Sequence, residues 1–140
     1  MNDSLRPVGV IDSGVGGISV LKKAVEIMPN EDFIYYGDSL NAPYGTKSTE
    51  EIKDLTFAVA EKLRAMGIKA LCVACNTATA AAIKDLRAVY TDMPVIGIEP
   101  AVKLAADHFP GGRIGVMATE VTLREEKFDL LLHRFDENCT

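Results

Sequence analysis

The feature that most constrains this chain is an alternation: a short run rich in β-branched and aromatic residues, then a longer segment with helical spacing, five times over. "PVGVID" precedes "GGISVLKKAVEIM", in which Ile18, Leu21, Val25 and Met28 fall on one helical stripe. "DFIYYGD" reads as the second strand, and the turn-forming "SLNAPYGTKS" leads into "STEEIKDLTFAVAEKLRAMG". Ser48 with Glu51 three residues on is a capping-box pattern. Ile52, Leu55, Val59, Leu63 and Met66 form one apolar stripe, and Gly67 closes the helix. "KALCVAC" is apolar on both faces, as a central parallel strand should be, and "NTATAAAIKDLRAVY" is the helix after it. "PVIGIE" with "PAVKLAADHF" follows, Pro100 suiting a first helical position, and then "GGRIGVMAT" with "EVTLREEKFDLLLHRF". Strand and helix in strict turn predict an α/β fold, a parallel sheet with helices on both faces.

The 140 residues suit one domain or one and a half. A formal net charge of -5 argues against a protein that coats nucleic acid, while leaving room for a small anionic ligand at a local site. The start, "MNDSLRPVGV", lacks a basic region followed by a long apolar run, and no stretch reaches the roughly 18 apolar residues of a spanning helix. With no such stretch, no membrane partner is expected, and three cysteines without framework spacing fit a reduced, cytoplasmic setting. The polar ending "DENCT" stands where a further strand could begin, so the chain is expected to be truncated relative to its functional unit.

In open α/β sheets, ligands bind beyond the carboxyl ends of the strands. The five runs end in Asp12, Ser13 and Gly14; in Gly37 and Asp38, then Pro43, Tyr44 and Gly45; in Cys75, Asn76 and Thr77; in Glu99 and Pro100; and in Ala118 and Thr119. These small, polar or reactive endings on one edge suggest a site. The glycine loop "DSGVGGIS" is not a dinucleotide fingerprint, because G-x-G-x-x-G needs glycine where Ser19 stands, and no Walker A pattern occurs. Ser13 and the exposed N–H groups of the next helix could hold a carboxylate, with Asp12 taking an ammonium or orienting a proton-transfer group.

"CVAC" is neither redox nor zinc chemistry if it lies in a strand. Three residues along a strand span roughly 10 Å, beyond the ~7 Å Cα limit of a disulfide. Zinc needs four ligands, and no second pair or histidine cluster occurs, so no metal is expected. Cys72 reads as a core residue. Cys75, at a strand end and a helix start, is the candidate reactive thiol, since a helix N-terminus favours a thiolate. Asn76 and Thr77 are good N-cap types, and that role is compatible with contacting a ligand. His108 and His133 read as surface residues, and Cys139 is unassigned.

Taken in order, "GVIDSGVGGISVLK", "YYGDSLNAPYGTKS", "VACNTATA", "GIEPAVK" and "IGVMAT" resemble the glutamate racemases of the aspartate/glutamate racemase family, from about Val8 to the last helix. The resemblance implies a flavodoxin-like racemase domain over residues 1–97, incomplete, and the start of a second over 98–140. It implies cofactor-independent interconversion of L- and D-glutamate by two cysteines, supplying D-glutamate for peptidoglycan. Carried over by position, Cys75 is the cysteine serving the D-enantiomer and Asp12 the acidic residue that assists it. Ser13, Pro43, Tyr44, Gly45, Asn76, Thr77 and Thr119 match substrate-contact positions. Glutamate is the implied partner, and the family is often dimeric. The family's second cysteine lies in a G-C-T-H motif that this sequence does not contain, so half a site is expected, with only the first catalytic cysteine and no full racemase activity from this chain alone. Two rival readings use the same residues: a non-catalytic amino-acid-binding α/β module, and a phosphoryl-handling enzyme built on Asp12. The second lacks a carboxylate two residues on, where Gly14 stands.

Overall fold

The computed structural model describes residues 5–99 and 101–124. Four strands, β1 (Val8–Asp12), β2 (Phe33–Gly37), β3 (Ala70–Val73) and β4 (Val95–Gly97), form one sheet in the order β2-β1-β3-β4, and every pairing is parallel. Helices α1 (Ile18–Ile27), α2 (Thr49–Ala65) and α3 (Asn76–Val89) make the crossovers; α4 (Val102–His108) and α5 (Glu120–Arg124) follow β4. Parallel strands require such crossovers, so the alternation in the sequence translates directly into the sheet.

The register decides which side chains share a face. Ile11 lies opposite Val73, and Leu71 opposite Val95. These four point into the main core with Ile52, Val59 and Leu63 of α2 and Ala78, Ala82, Ile83 and Leu86 of α3. Leu63, Leu71, Ile83 and Leu86 are fully buried, each contributing on the order of 1.5–3 kcal/mol through removal from water. The ends of helix α2 are built as the sequence predicts, since the Ser48 hydroxyl accepts from Glu51 N–H, the Glu51 carboxylate accepts from Ser48 N–H, and Gly67 takes φ +80° just past the last turn, while Met66 of the expected stripe is the C-cap and stands exposed.

The opposite face is covered unevenly. Val10, Cys72 and Ile96 run across it in register, yet Val10 is buried while Ile96 is 51% exposed. Helix α1 lies on this face and buries none of its residues completely. Of its predicted stripe only Leu21 is half-buried, whereas Ile18, Val25 and Met28 remain exposed. Amphipathic spacing fixes which residues share a helix face, but not whether neighbours exist to cover it.

The fifth run departs from expectation. Residues 111–119 form no strand among the described residues. A strand exists through its ladder, and β propensity alone supplies no partner for the N–H and C=O groups of "RIGVMA". The segment still delivers Thr119 to the start of α5, where its hydroxyl accepts from Thr122 N–H. Pro100, His133 and Cys139 lie outside the described residues.

Candidate functional site

The chain leaves β1 toward β2 on one side, while β3 occupies the other side of β1 and leads outward to β4. The topological switch point therefore lies between the carboxyl ends of β1 and β3, where open α/β sheets place their ligands. Asp12 is the last residue of β1, and Cys75 follows β3 by two residues. The two strands stay joined past the regular ladder, since Ala74 N–H donates to Ile11 C=O at 2.7 Å. A cleft of about 420 Å³ opens here, lined by Asp12, Cys75, Asn76, Thr77 and Thr119 together with Ser19, Val20, Ile98, Met117 and Thr122. Its volume suits a small organic ligand.

Cys75 is extended in backbone, with φ -101° and ψ 123°, and is itself the N-cap of α3. That role was expected of Asn76 or Thr77; instead, Asn76 is the first helical residue. The Cys75 sulfur accepts Ala78 N–H at 3.4 Å, and its S–H donates to Ser13 Oγ at 3.4 Å. The thiol is 7% exposed. A negative charge formed on this sulfur would meet one backbone donor and the positive end of a 14-residue helix. Cys72, by contrast, lies inside β3, and burial pushes its thiol up.

The carboxylate of Asp12 is buried at the β1 end. Its Oδ2 accepts Gly14 N–H at 3.0 Å and has the Tyr35 hydroxyl at 3.4 Å. Burial and the nearby Asp12 charge push the Tyr35 phenol up to about 12, so it remains a donor at neutral pH. Thr77 Oγ1 and Thr119 Oγ1 lie 3.0 Å apart, as do Thr119 Oγ1 and Thr122 Oγ1, making a short chain of hydroxyls along one wall. Asn76 stands exposed on the rim.

The sequence-predicted residues do not all gather in this cleft. Asp12, Cys75, Asn76, Thr77 and Thr119 line it, and Ser13 reaches it through Cys75. Pro43, Tyr44 and Gly45 do not. Tyr44 is 1% exposed, and its hydroxyl donates to Asp38 Oδ2 at 2.7 Å; burial and this bond push its phenol far up. Only its backbone is left to meet a ligand. Gly45 packs against Thr119 so closely that an added Cβ would lie 2.5 Å from Thr119 Cγ2, which ties this loop to the cleft wall. Sequence reading missed Tyr35 and Thr122, and it placed Asp38 on the strand edge without assigning it a role. Tyr35 could have been found from strand alternation, which places it on the same face as Asp12. Thr122 carries no comparable signal. Among the described residues, no group of three or more His, Cys, Asp or Glu is placed to hold a metal, and no helix is long and apolar enough to cross a membrane.

Fold and site together define an α/β protein with a cysteine-centred cleft for a small molecule at the switch point of a parallel sheet. The chain belongs to the Asp/Glu/Hydantoin racemase family, whose model matches residues 8–138. It is 60% identical over 133 residues to the glutamate racemase of Clostridium acetobutylicum, covering 95% of this chain and 52% of that protein. Among solved structures, Escherichia coli glutamate racemase in complex with L-glutamate and the activator UDP-MurNAc-ala superimposes with a TM-score of 0.83 at 33% identity, over 96% of this chain and 51% of that one. The Francisella tularensis glutamate racemase in complex with D-glutamate gives a TM-score of 0.80 at 37% identity, over 96% and 50%. The chain thus spans about half the length of these relatives.

Proposed function

We propose that this chain carries one half of a glutamate racemase site, the half that faces D-glutamate, with Cys75 as its base. The observation that carries the reading is the Cys75 sulfur at the switch-point cleft, capping α3, bonded to Ser13 and close to Asp12. The relatives named above, two of them with glutamate bound, supply the substrate class.

The chemistry follows from the acidity of the substrate. The α-proton of an amino acid is a far weaker acid than a thiol, so its removal needs a stabilised carbanion and exclusion of water. In this reading the substrate carboxylate sits against the first N–H groups of α3, beside Ser13, Asn76 and Thr77, with Thr119 closing the wall. Asp12 assists the thiol, and the backbone of Pro43, Tyr44 and Gly45 supports the far end of the substrate. The Cys75 thiolate takes the α-proton as S–H, and the electron pair stays on the α-carbon, delocalised into the carboxylate. A second thiol on the opposite face returns a proton, giving L-glutamate; the reverse sequence regenerates the D-enantiomer. The reading extends to a cofactor-independent cytoplasmic enzyme that supplies D-glutamate to peptidoglycan, with the homodimer as its assembly and residues 98–140 opening a second domain.

The test is protection of Cys75. Iodoacetamide labelling of the chain is followed by peptide mass spectrometry with and without D-glutamate. The proposal expects saturable slowing at Cys75 and none at Cys72. Equal labelling at every D-glutamate concentration would refute it.

A further inference from the structure

We infer that Tyr35 is a positioning residue of this site, fixing Asp12 and the Ser13 loop against Cys75; the inference rests on the racemase reading. The two consecutive tyrosines of β2 serve opposite faces of the sheet. Tyr36 joins the face packed by α2, where its hydroxyl accepts from Lys62 Nζ at 3.0 Å. Tyr35 pairs with Val10 in the β1–β2 register and so shares the sheet face of Val10 and of Asp12 two residues on. Its hydroxyl donates to Gly14 C=O at 2.8 Å and lies 3.4 Å from Asp12 Oδ2, which also accepts Gly14 N–H. Tyr35, Asp12 and Gly14 therefore close a ring of contacts. Ser13 is enclosed within that ring, and its Oγ is the partner of the Cys75 thiol.

The loop is held from behind as well. A Cβ on Gly37 would stand 2.3 Å from Gly14 C=O, so the loop lies directly on the β2 backbone. The Tyr35 hydroxyl is thus the side-chain donor that sets both the orientation of Asp12 and the height of Ser13 over Cys75. Removing it leaves the Asp12 charge less well balanced beside the thiol, which disfavours a thiolate at Cys75. A role confined to packing would have a different consequence, because loosening this sheet face would expose Cys72 too.

The test uses the 140-residue chain with Cys139→Ser, so that two thiols remain, labelled by iodoacetamide at pH 8 and resolved by peptide mass spectrometry. Tyr35→Phe is expected to slow Cys75 labelling about three-fold, the effect of one lost hydrogen bond. Cys72 labelling should not change, and the effect should be smaller when Asp12→Asn is also present, because only the Gly14 contact of Tyr35 then remains to be lost. Unchanged or faster Cys75 labelling, faster labelling of both thiols, or an undiminished effect in the Asp12→Asn background would each overturn the inference. These readouts need no glutamate, so the inference can fail while D-glutamate still protects Cys75, and the racemase reading can fail while Tyr35 still controls the thiol.

Discussion

Tyr44→Phe separates two roles that the sequence alone leaves merged. The side chain is 1% exposed, and its hydroxyl donates to Asp38 Oδ2 at 2.7 Å. Asp38 is 6% exposed and keeps two contacts from Asn41 Nδ2, both at 3.0 Å, when the tyrosine hydroxyl is lost. A hydrogen bond to a charged partner contributes about 1.5–3 kcal/mol. The surviving Asn41 contacts place the loss in the lower half of that range, at about 2 kcal/mol. For a chain of this size, each kcal/mol moves Tm by about 3–5 °C, so Tm should fall by about 6–10 °C. The Tyr44 backbone is untouched, so the D-glutamate concentration that half-protects Cys75 from iodoacetamide should change less than three-fold at temperatures where the variant is folded. Differential scanning fluorimetry and the labelling assay give the two numbers. A Tm within 1 °C of the parent, or protection lost while Tm holds, would refute the account of Tyr44 as a buried brace.

Three further outcomes follow from the structure. Leu86→Ala, at a fully buried position between α3 and the sheet, should cost about 2–5 kcal/mol, seen as a lower urea midpoint with an unchanged slope. Ser48→Ala removes both the acceptor for Glu51 N–H and the hydroxyl bonded to the Glu51 carboxylate, and should cost about 1 kcal/mol by the same assay. Alkali should destabilise the chain. Tyr35 is raised to about 12 in the folded state against about 10 when unfolded, so the stability it contributes is complete below pH 10 and lost as pH rises from 10 to 12. Tyr44 and Tyr90, also raised mainly by burial, act in the same direction, and a spectrophotometric titration of the tyrosines against unfolding checks it.

Where a pattern in the sequence is local, it predicts the structure well. The capping box at Ser48, the left-handed Gly67 and the apolar β3 all depend on near neighbours, and all are present. What depends on distant partners is less legible. The "RIGVMA" run has strand composition, but no neighbouring strand pairs with it among the described residues. The stripe of α1 stays mostly exposed, as does Ile96 on the same sheet face, because spacing alone does not supply the neighbours that cover a face. The candidate site divides along the same line. Asp12, Cys75, Asn76 and Thr77 follow from placing strand ends on one edge. The inward turn of Tyr44, the cap formed by Cys75 instead of its neighbours, and the Tyr35 contacts needed the sheet order and register.

In the proposed reaction Cys75 moves the α-proton of glutamate. The most direct test of this step is proton NMR of D- and L-glutamate, incubated separately with the chain in D2O. The expected result is loss of the α-proton signal from D-glutamate, no matching loss from L-glutamate, and no exchange in Cys75→Ser. Exchange that survives Cys75→Ser, or that proceeds equally from both enantiomers, would contradict it.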